Sequence, residues 1–211
     1  MEKGGMEVDV KVWEERKEEF RRRLFEDLEI GYLDRDIMDV LLKLFESGDY
    51  FTQSSCSGRI TAVDAAMPWE REDSTVIFKK HSPITVDEVR DLLNKEVLRT
   101  LWLVVTGPII HVNAKSMQAA MRILELGRRA GLKHSGIISS SRKGVIVELT
   151  SGVFLATPLK TGKDVVIASV EKVVSLANKA LVKGKERLNR LREVLGLEPL
   201  DYVALWSCQK A

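Results

Sequence analysis

The stretch LWLVVTGPIIHVN at 101–113 decides how this chain reads: two apolar, β-branched runs, Leu101 to Thr106 and Ile109 to Asn113, flank Gly107-Pro108. A two-residue link is too short for the helical crossover that joins neighbouring parallel strands, so a doubly wound sheet is disfavoured. Working outward, further strand-like runs are Tyr50 to Thr52, Ile60 to Val63, Thr75 to Lys79, Gly136 to Ser139, Val145 to Thr150, Val153 to Thr157 and Asp164 to Ile167. Several of these are also joined tightly. Helical spacing appears in Trp13, Phe20, Leu24 and Leu28, and again from Ile37 to Phe45 before Gly48. Thr85 and Glu88 form a capping box ahead of Val86, Val89 and Leu92. Helices are also predicted from about Ser116 to Gly131 and from about Ser169 to Gly196, and the tail with Tyr202, Leu205 and Trp206 is expected to dock. The expectation is an α+β fold, one mixed and largely antiparallel sheet with packing helices, in a single domain over 1–211.

Composition narrows the class. With 45% apolar and 30% charged residues and no apolar run of membrane-spanning length, the chain reads as soluble, and its charged N-terminus as that of a cytoplasmic protein. Two cysteines, Cys56 and Cys208, supply neither a disulfide framework nor a paired zinc motif, so no metal is expected; a Cys56–Cys208 bridge stays open if the source is a hyperthermophile. The small net charge of +2 hides an asymmetry: residues 1–50 carry 15 acids and 9 Lys/Arg, the remainder 16 acids and 24 Lys/Arg. A basic C-terminal portion suits a polyanion such as RNA, although charged helices are commonly just solvated.

The stretch with the most chemical content is FTQSSCSGR at 51–59. Read as a turn, its serine hydroxyls (Ser54, Ser55, Ser57), Cys56, the flexible Gly58 and the forked donor of Arg59 suit a carboxylate or phosphate; the same residues also make ordinary turns. Asp64 follows closely, His81 closes the 75–80 run, His111 sits inside IIHVN, and Ser135-Gly136 opens a strand after His134. His111 alternates with apolar neighbours, a pattern that fits a hydrogen-bonded face residue as well as a catalyst. Asp64 serves equally to end a strand, and Cys56 to fill a small apolar space. Trp69 and Trp102 are candidates for stacking a base or for the core. Walker, HExxH, GxGxxG and GxSxG signatures are absent in the contexts those motifs need.

Taken together, FTQSSCSGRI with Asp64 four residues on, the run ending at His81, GPIIHVNAKSMQAAMRILELGRRAGLKHSGI at 107–137 and ATPL at 156–159 resemble the tRNA wybutosine-synthesizing protein 3 family. The segment Glu148-Leu149-Thr150-Ser151 departs from the family pattern, which often carries an arginine there. The resemblance implies a fold unlike the Rossmann methyltransferases and S-adenosylmethionine as donor. It also implies N-methylation of the tricyclic wyosine-type base at position 37 of phenylalanine tRNA, with the anticodon loop as partner. On that reading Asp64 and His111 are the expected catalytic residues. Ser54, Ser55, Cys56, Ser57, Gly58, Arg59, His81, Ser135 and Gly136 are expected to bind donor or substrate. Two other readings compete: a non-catalytic tRNA-binding module using the basic 107–143 segment and the terminal helix, and a hydrolase or transferase with Cys56 as nucleophile.

Overall fold

The computed structural model describes residues 7–70 and 72–208, the last through its backbone alone. In chain order the elements are α1 Val10–Glu29, a 3-10 turn Arg35–Ile37, α2 Met38–Glu46, β1 Tyr50–Cys56, β2 Arg59–Ala65 and β3 Thr75–Lys80. Then come α3 Val86–Asn94, β4 Thr100–Thr106, β5 Ile109–Ala114, α4 Met117–Arg129, β6 Gly136–Ser141 and β7 Gly144–Thr150. The chain continues with β8 Phe154–Thr161, β9 Asp164–Val165, α5 Val170–Val194 and α6 Tyr202–Cys208. The α+β class holds. The expected single mixed sheet is instead two sheets among the described residues, ordered β1-β5-β7-β6 and β3-β2-β4-β8-β9, with antiparallel pairing throughout.

The short links explain the difference. Ser57-Gly58 and Gly107-Pro108 look like hairpin turns, yet β1 pairs with β5 and β2 with β4, so each link carries the chain from one sheet to the other. Sheet membership is decided by which side chains bury together, a non-local choice that loop length does not encode. The same pairing corrects the turn expected at 54–59. β1 runs through Cys56, β2 begins at Arg59, and only Ser57-Gly58 lies between strands. Gly58 sits at φ +96°, and a Cβ there would lie 3.0 Å from the Thr106 carbonyl oxygen. A side chain at that position is thus excluded on both counts.

The chain forms two compact units. Among the described residues the first holds 7–57, 108–152 and 186–200. Its core gathers Trp13, Phe45 and Phe51 with Ile110, Val112, Ile123, Val147, Leu149, Leu188 and Leu191. Phe51 is the aromatic hub, with ring centroids of Trp13 at 5.2 Å and of Phe20 at 5.4 Å. The Trp13 Nε1–H donates to Asn113 Oδ1 at 2.9 Å, which satisfies the one polar atom of a fully buried indole. Arg192, 0% exposed, is held by both Asp39 carboxylate oxygens at 2.9 and 3.0 Å, by Asn189 Oδ1 at 3.2 Å and by the Asp36 carbonyl. The charge asymmetry of the sequence vanishes inside this unit, whose described residues hold 19 acids and 18 Lys/Arg. Lys115 meets Glu14, Arg122 meets Asp49 and Arg142 meets Asp9, so three of the basic residues of 111–143 are answered by acids of the N-terminal portion.

Among the described residues the second unit holds 58–70, 72–107, 153–185 and 201–208. One face of its sheet, with Ile60, Ala62, Leu101, Leu103, Val105 and Leu159, joins Val89 and Leu92 of α3 and Val174, Ala177 and Leu181 of α5. Asn178 fixes the approach to α3, accepting from Ile84 N at 2.9 Å and donating to Ile84 O at 2.8 Å. Both halves of the capping box form. The tail docks through Trp206, which packs on this core. The side chain of Cys208, and with it the bridge to Cys56, lies outside the described residues.

Burial pushes the Glu88 carboxyl up, but hydrogen bonds from Lys80 and the Thr85 N–H outweigh it and hold the group below its ordinary value. A carboxyl lowered by folding contributes stability above its ordinary range and loses it as pH falls through the folded value. Glu88→Gln is therefore expected to lower stability near neutrality, the gap to the parent protein closing as urea midpoints are followed into acid. Thr85→Ala removes the other half of the cap and should cost about 1 kcal/mol by the same measurement.

Candidate active site

An irregularity in β1 creates the site. Thr52 pairs with Val112 and Ser55 with Ile110, so Gln53 and Ser54 together face His111 alone. A two-against-one bulge bends the strand and re-aims its side chains. Here it brings Ser54 Oγ to 2.6 Å from His111 Nδ1. On the other side of β5, His111 pairs in register with Glu148 of β7, and Nε2 lies 2.9 Å from Glu148 Oε2. Both ring nitrogens are thereby occupied. With the proton on Nε2 donated to the carboxylate, Nδ1 presents its lone pair to the serine hydroxyl. Glu148 pairs in turn with Gly136 of β6, where a Cβ would meet nothing within 4 Å. The result is one cross-strand row, Ser54, His111, Glu148 and Gly136. Ser54 is exposed, the His111 side chain 27% and that of Glu148 34% exposed, so the row is open to a ligand yet partly shielded from water.

The remaining expected site residues divide. Cys56 pairs with Ile109, two residues before His111 and hence on the same sheet face. Ser55 is half-buried and Ser57 fully buried, with its N–H held by Asp34 Oδ2 at 2.8 Å. Ser135 holds the local structure together, its hydroxyl donating to Leu132 O at 2.7 Å and accepting from Thr150 N at 3.0 Å, which ties the end of α4 to the end of β7. In the second unit Arg59 is exposed at the start of β2, and His81 Nδ1 lies 3.1 Å from the Gly58 carbonyl. Asp64 is 7% exposed and both its oxygens are committed, accepting from Leu98 N at 2.7 Å and Arg99 N at 2.9 Å. That carboxylate shapes the loop before β4. Trp102 donates to Ala65 O at 3.2 Å, whereas Trp69 is 70% exposed.

Two concavities matter. In the first unit a cavity of about 120 Å³ lies beside Ser54 and Ser55, lined also by Arg23, Asp27 and Tyr32. In the second a groove of about 640 Å³ is lined by Lys79, His81, Ser82, Thr85 and Trp206 among others, roomy enough for a nucleoside-sized group.

A serine–histidine–carboxylate row beside a polar cavity is compatible with several group transfers, and relatives separate them. Residues 15–196 match the family model described as Methyltransferase TYW3. The chain belongs to this family. A Saccharolobus solfataricus relative is 44% identical over 87% of this chain and 90% of its own length. It is named tRNA(Phe) 7-((3-amino-3-carboxypropyl)-4-demethylwyosine(37)-N(4))-methyltransferase. An Aeropyrum pernix relative of the same name is 34% identical over 81% of this chain and 93% of its own. Among solved structures, the PH1069 protein from Pyrococcus horikoshii superposes with a TM-score of 0.83 at 30% identity, covering 89% of this chain and 98% of its own. The fold of this methyltransferase is thus the family's α+β architecture. No helix among the described residues is long and apolar enough to cross a membrane.

The sequence reading met Glu148 only as part of a departure from the family pattern, not as a site residue, and it missed Arg23, Asp27 and Tyr32. A signal for Glu148 exists in VIVELT at 145–150, where one carboxylate interrupts an apolar strand. Recognising it requires knowing that β7 pairs with β5.

Proposed function

We propose that this methyltransferase uses S-adenosylmethionine to methylate N4 of the 7-(3-amino-3-carboxypropyl)-4-demethylwyosine at position 37 of phenylalanine tRNA, in the anticodon loop. The observation that carries the reading is the hydrogen-bonded row Ser54–His111–Glu148. The names of the family's members supply the reaction class. The donor fits this face on charge: a sulfonium cation is favoured by hydroxyls and a carboxylate. Ser54 and Cys56, which share the His111 face of β1, are the groups that would hold it, Glu148 contributing only its charge to that face. When bound, S-adenosylmethionine supplies an electrophilic methyl group.

The chain's own part is positioning and proton handling. As the acceptor nitrogen forms its bond to carbon it must shed a proton. Ser54 Oγ, the outermost atom of the row, receives that proton while passing its own to His111 Nδ1. The imidazolium so formed is stabilised by Glu148 at Nε2 and later releases the proton to water. Alignment of donor and acceptor and partial exclusion of water supply the rest of the acceleration. Arg59, His81 and the basic residues Arg128, Arg129 and Lys133 at the end of α4 are exposed or half-buried and suited to phosphates.

Incubation of the protein with phenylalanine tRNA carrying the demethylated base and methyl-labelled S-adenosylmethionine tests this. Nucleoside mass spectrometry should show one methyl group gained at position 37. Binding of the tRNA with no label transferred would instead support the non-catalytic binding module. Glu148 acts through His111 and is a positioning residue. Glu148→Ala is expected to lower kcat by roughly tenfold to a hundredfold with the KM for tRNA nearly unchanged, and Glu148→Gln, which keeps an acceptor at Nε2, should recover part of it. A rise in KM alone would assign Glu148 to tRNA binding.

A further inference from the structure

The cavity beside Ser54 has features that methyl transfer at the row does not use. Its volume, about 120 Å³, is well below the roughly 300–1,000 Å³ of pockets that bury a whole drug-sized ligand. It suits a short polar chain. Its wall presents opposite charges one helical turn apart: Arg23 and Asp27 of α1, Nε to Oδ2 3.6 Å, with side chains 60% and 25% exposed. Residues Thr52 to Ser55 of β1 complete the lining, with the exposed Ser54 hydroxyl at its edge.

The end of α1 gives independent support. A helix C-terminus carries exposed carbonyls and a partial negative charge, which normally recruits lysine or arginine. The last turn of α1 has no basic residue and instead holds Glu26, Asp27 and Glu29. Asp27 has a cation in Arg23, but that pair is long and exposed to solvent, hence weak and open to exchange. Arg23 stands a turn earlier, and its planar fork is the natural mate of a carboxylate. The site therefore has a place for an ammonium and a place for a carboxylate, a few ångströms apart.

We propose that this cavity binds the zwitterionic end of a 3-amino-3-carboxypropyl chain, the carboxylate on Arg23 and the ammonium on Asp27 with the Ser54 hydroxyl. The inference rests on the function proposed above, in which that chain occurs twice: on sulfur in S-adenosylmethionine and on the acceptor base. In either case the chain enters beside Ser54, and its far end sets how the reacting atom lies against the row. Tyr32, 71% exposed at the cavity's rim, offers a face for the flat ring that follows.

Arg23→Gln and Asp27→Asn separate the sources, circular dichroism confirming that each variant is folded. In the donor arm, calorimetry compares S-adenosylmethionine with its decarboxylated form. In the acceptor arm, binding is compared for tRNA whose base 37 carries the aminocarboxypropyl chain and tRNA whose base lacks it. The expected result is a loss of roughly tenfold or more for one chain-bearing ligand in both variants, with Arg23→Gln indifferent to the partner compound that lacks the carboxylate. Loss in the donor arm assigns the methionine end, and loss in the acceptor arm the base's side chain. Parental affinity for both ligands in both variants overturns the inference. Absence of methyl transfer by the parent protein would instead defeat the proposed function, and because the two arms read binding, the failures stay distinct.

Discussion

His111→Ala is expected to lower kcat for methylation of phenylalanine tRNA by about 10²- to 10³-fold while leaving KM for the tRNA within a small factor. The imidazole bridges Ser54 and Glu148, at 2.6 and 2.9 Å, so its removal takes away the base of the proposed proton path. The substitution falls on a half-buried position between Ile110 and Val112, both fully buried on the opposite face, so the strand should persist. Single-turnover rates with saturating donor isolate the chemical step. Undiminished rates would remove the row from the reaction. Asp64→Asn provides the contrast: its carboxylate accepts two backbone N–H groups, so the expected loss is of stability first and of turnover through it.

The second large effect is on folding. Asp39→Ala should destabilise the first unit by about 3–5 kcal/mol, because a fully buried guanidinium loses the carboxylate that met it through two nitrogens. Asp39 is itself 40% exposed, so water admitted in its place recovers part of the loss and sets the expectation at the lower end of that range. Urea denaturation followed by tryptophan fluorescence reads this directly, since Trp13 belongs to the same core. A midpoint like that of the parent protein would mean that Asn189 Oδ1 and the Asp36 carbonyl suffice to hold the charge.

The charge pattern shows how linear and spatial readings diverge. An acidic first quarter and a basic remainder suggested a polarised molecule, but α1 and α4 fall in one unit, where Glu14, Asp49 and Asp9 answer Lys115, Arg122 and Arg142. Nor did the segment 51–59 stay a turn. Ser54 and Ser55 are poor strand formers, and propensity alone ends β1 at Thr52, yet pairing with β5 extends it to Cys56 with a bulge. Asp64 and His111 looked alike in sequence, each a polar residue within or after a strand. Backbone N–H groups of Leu98 and Arg99 claim the first, whereas the second lies between the Ser54 hydroxyl and a cross-strand carboxylate.

By itself the sequence determined what local physics can determine. Apolar periodicity placed α1 to α5 and most strands, Thr85 and Glu88 announced a cap that forms, and short links disfavoured a doubly wound sheet. The resemblance carried by FTQSSCSGRI and the 107–137 segment pointed to the right family, because those residues are read directly from the chain. The tertiary structure alone decided that the strands form two sheets, that Glu148 stands opposite His111, and that Arg23 and Asp27 border a cavity with Ser54. Each of these depends on which distant segments bury surface against one another, and a chain's order does not carry that choice residue by residue.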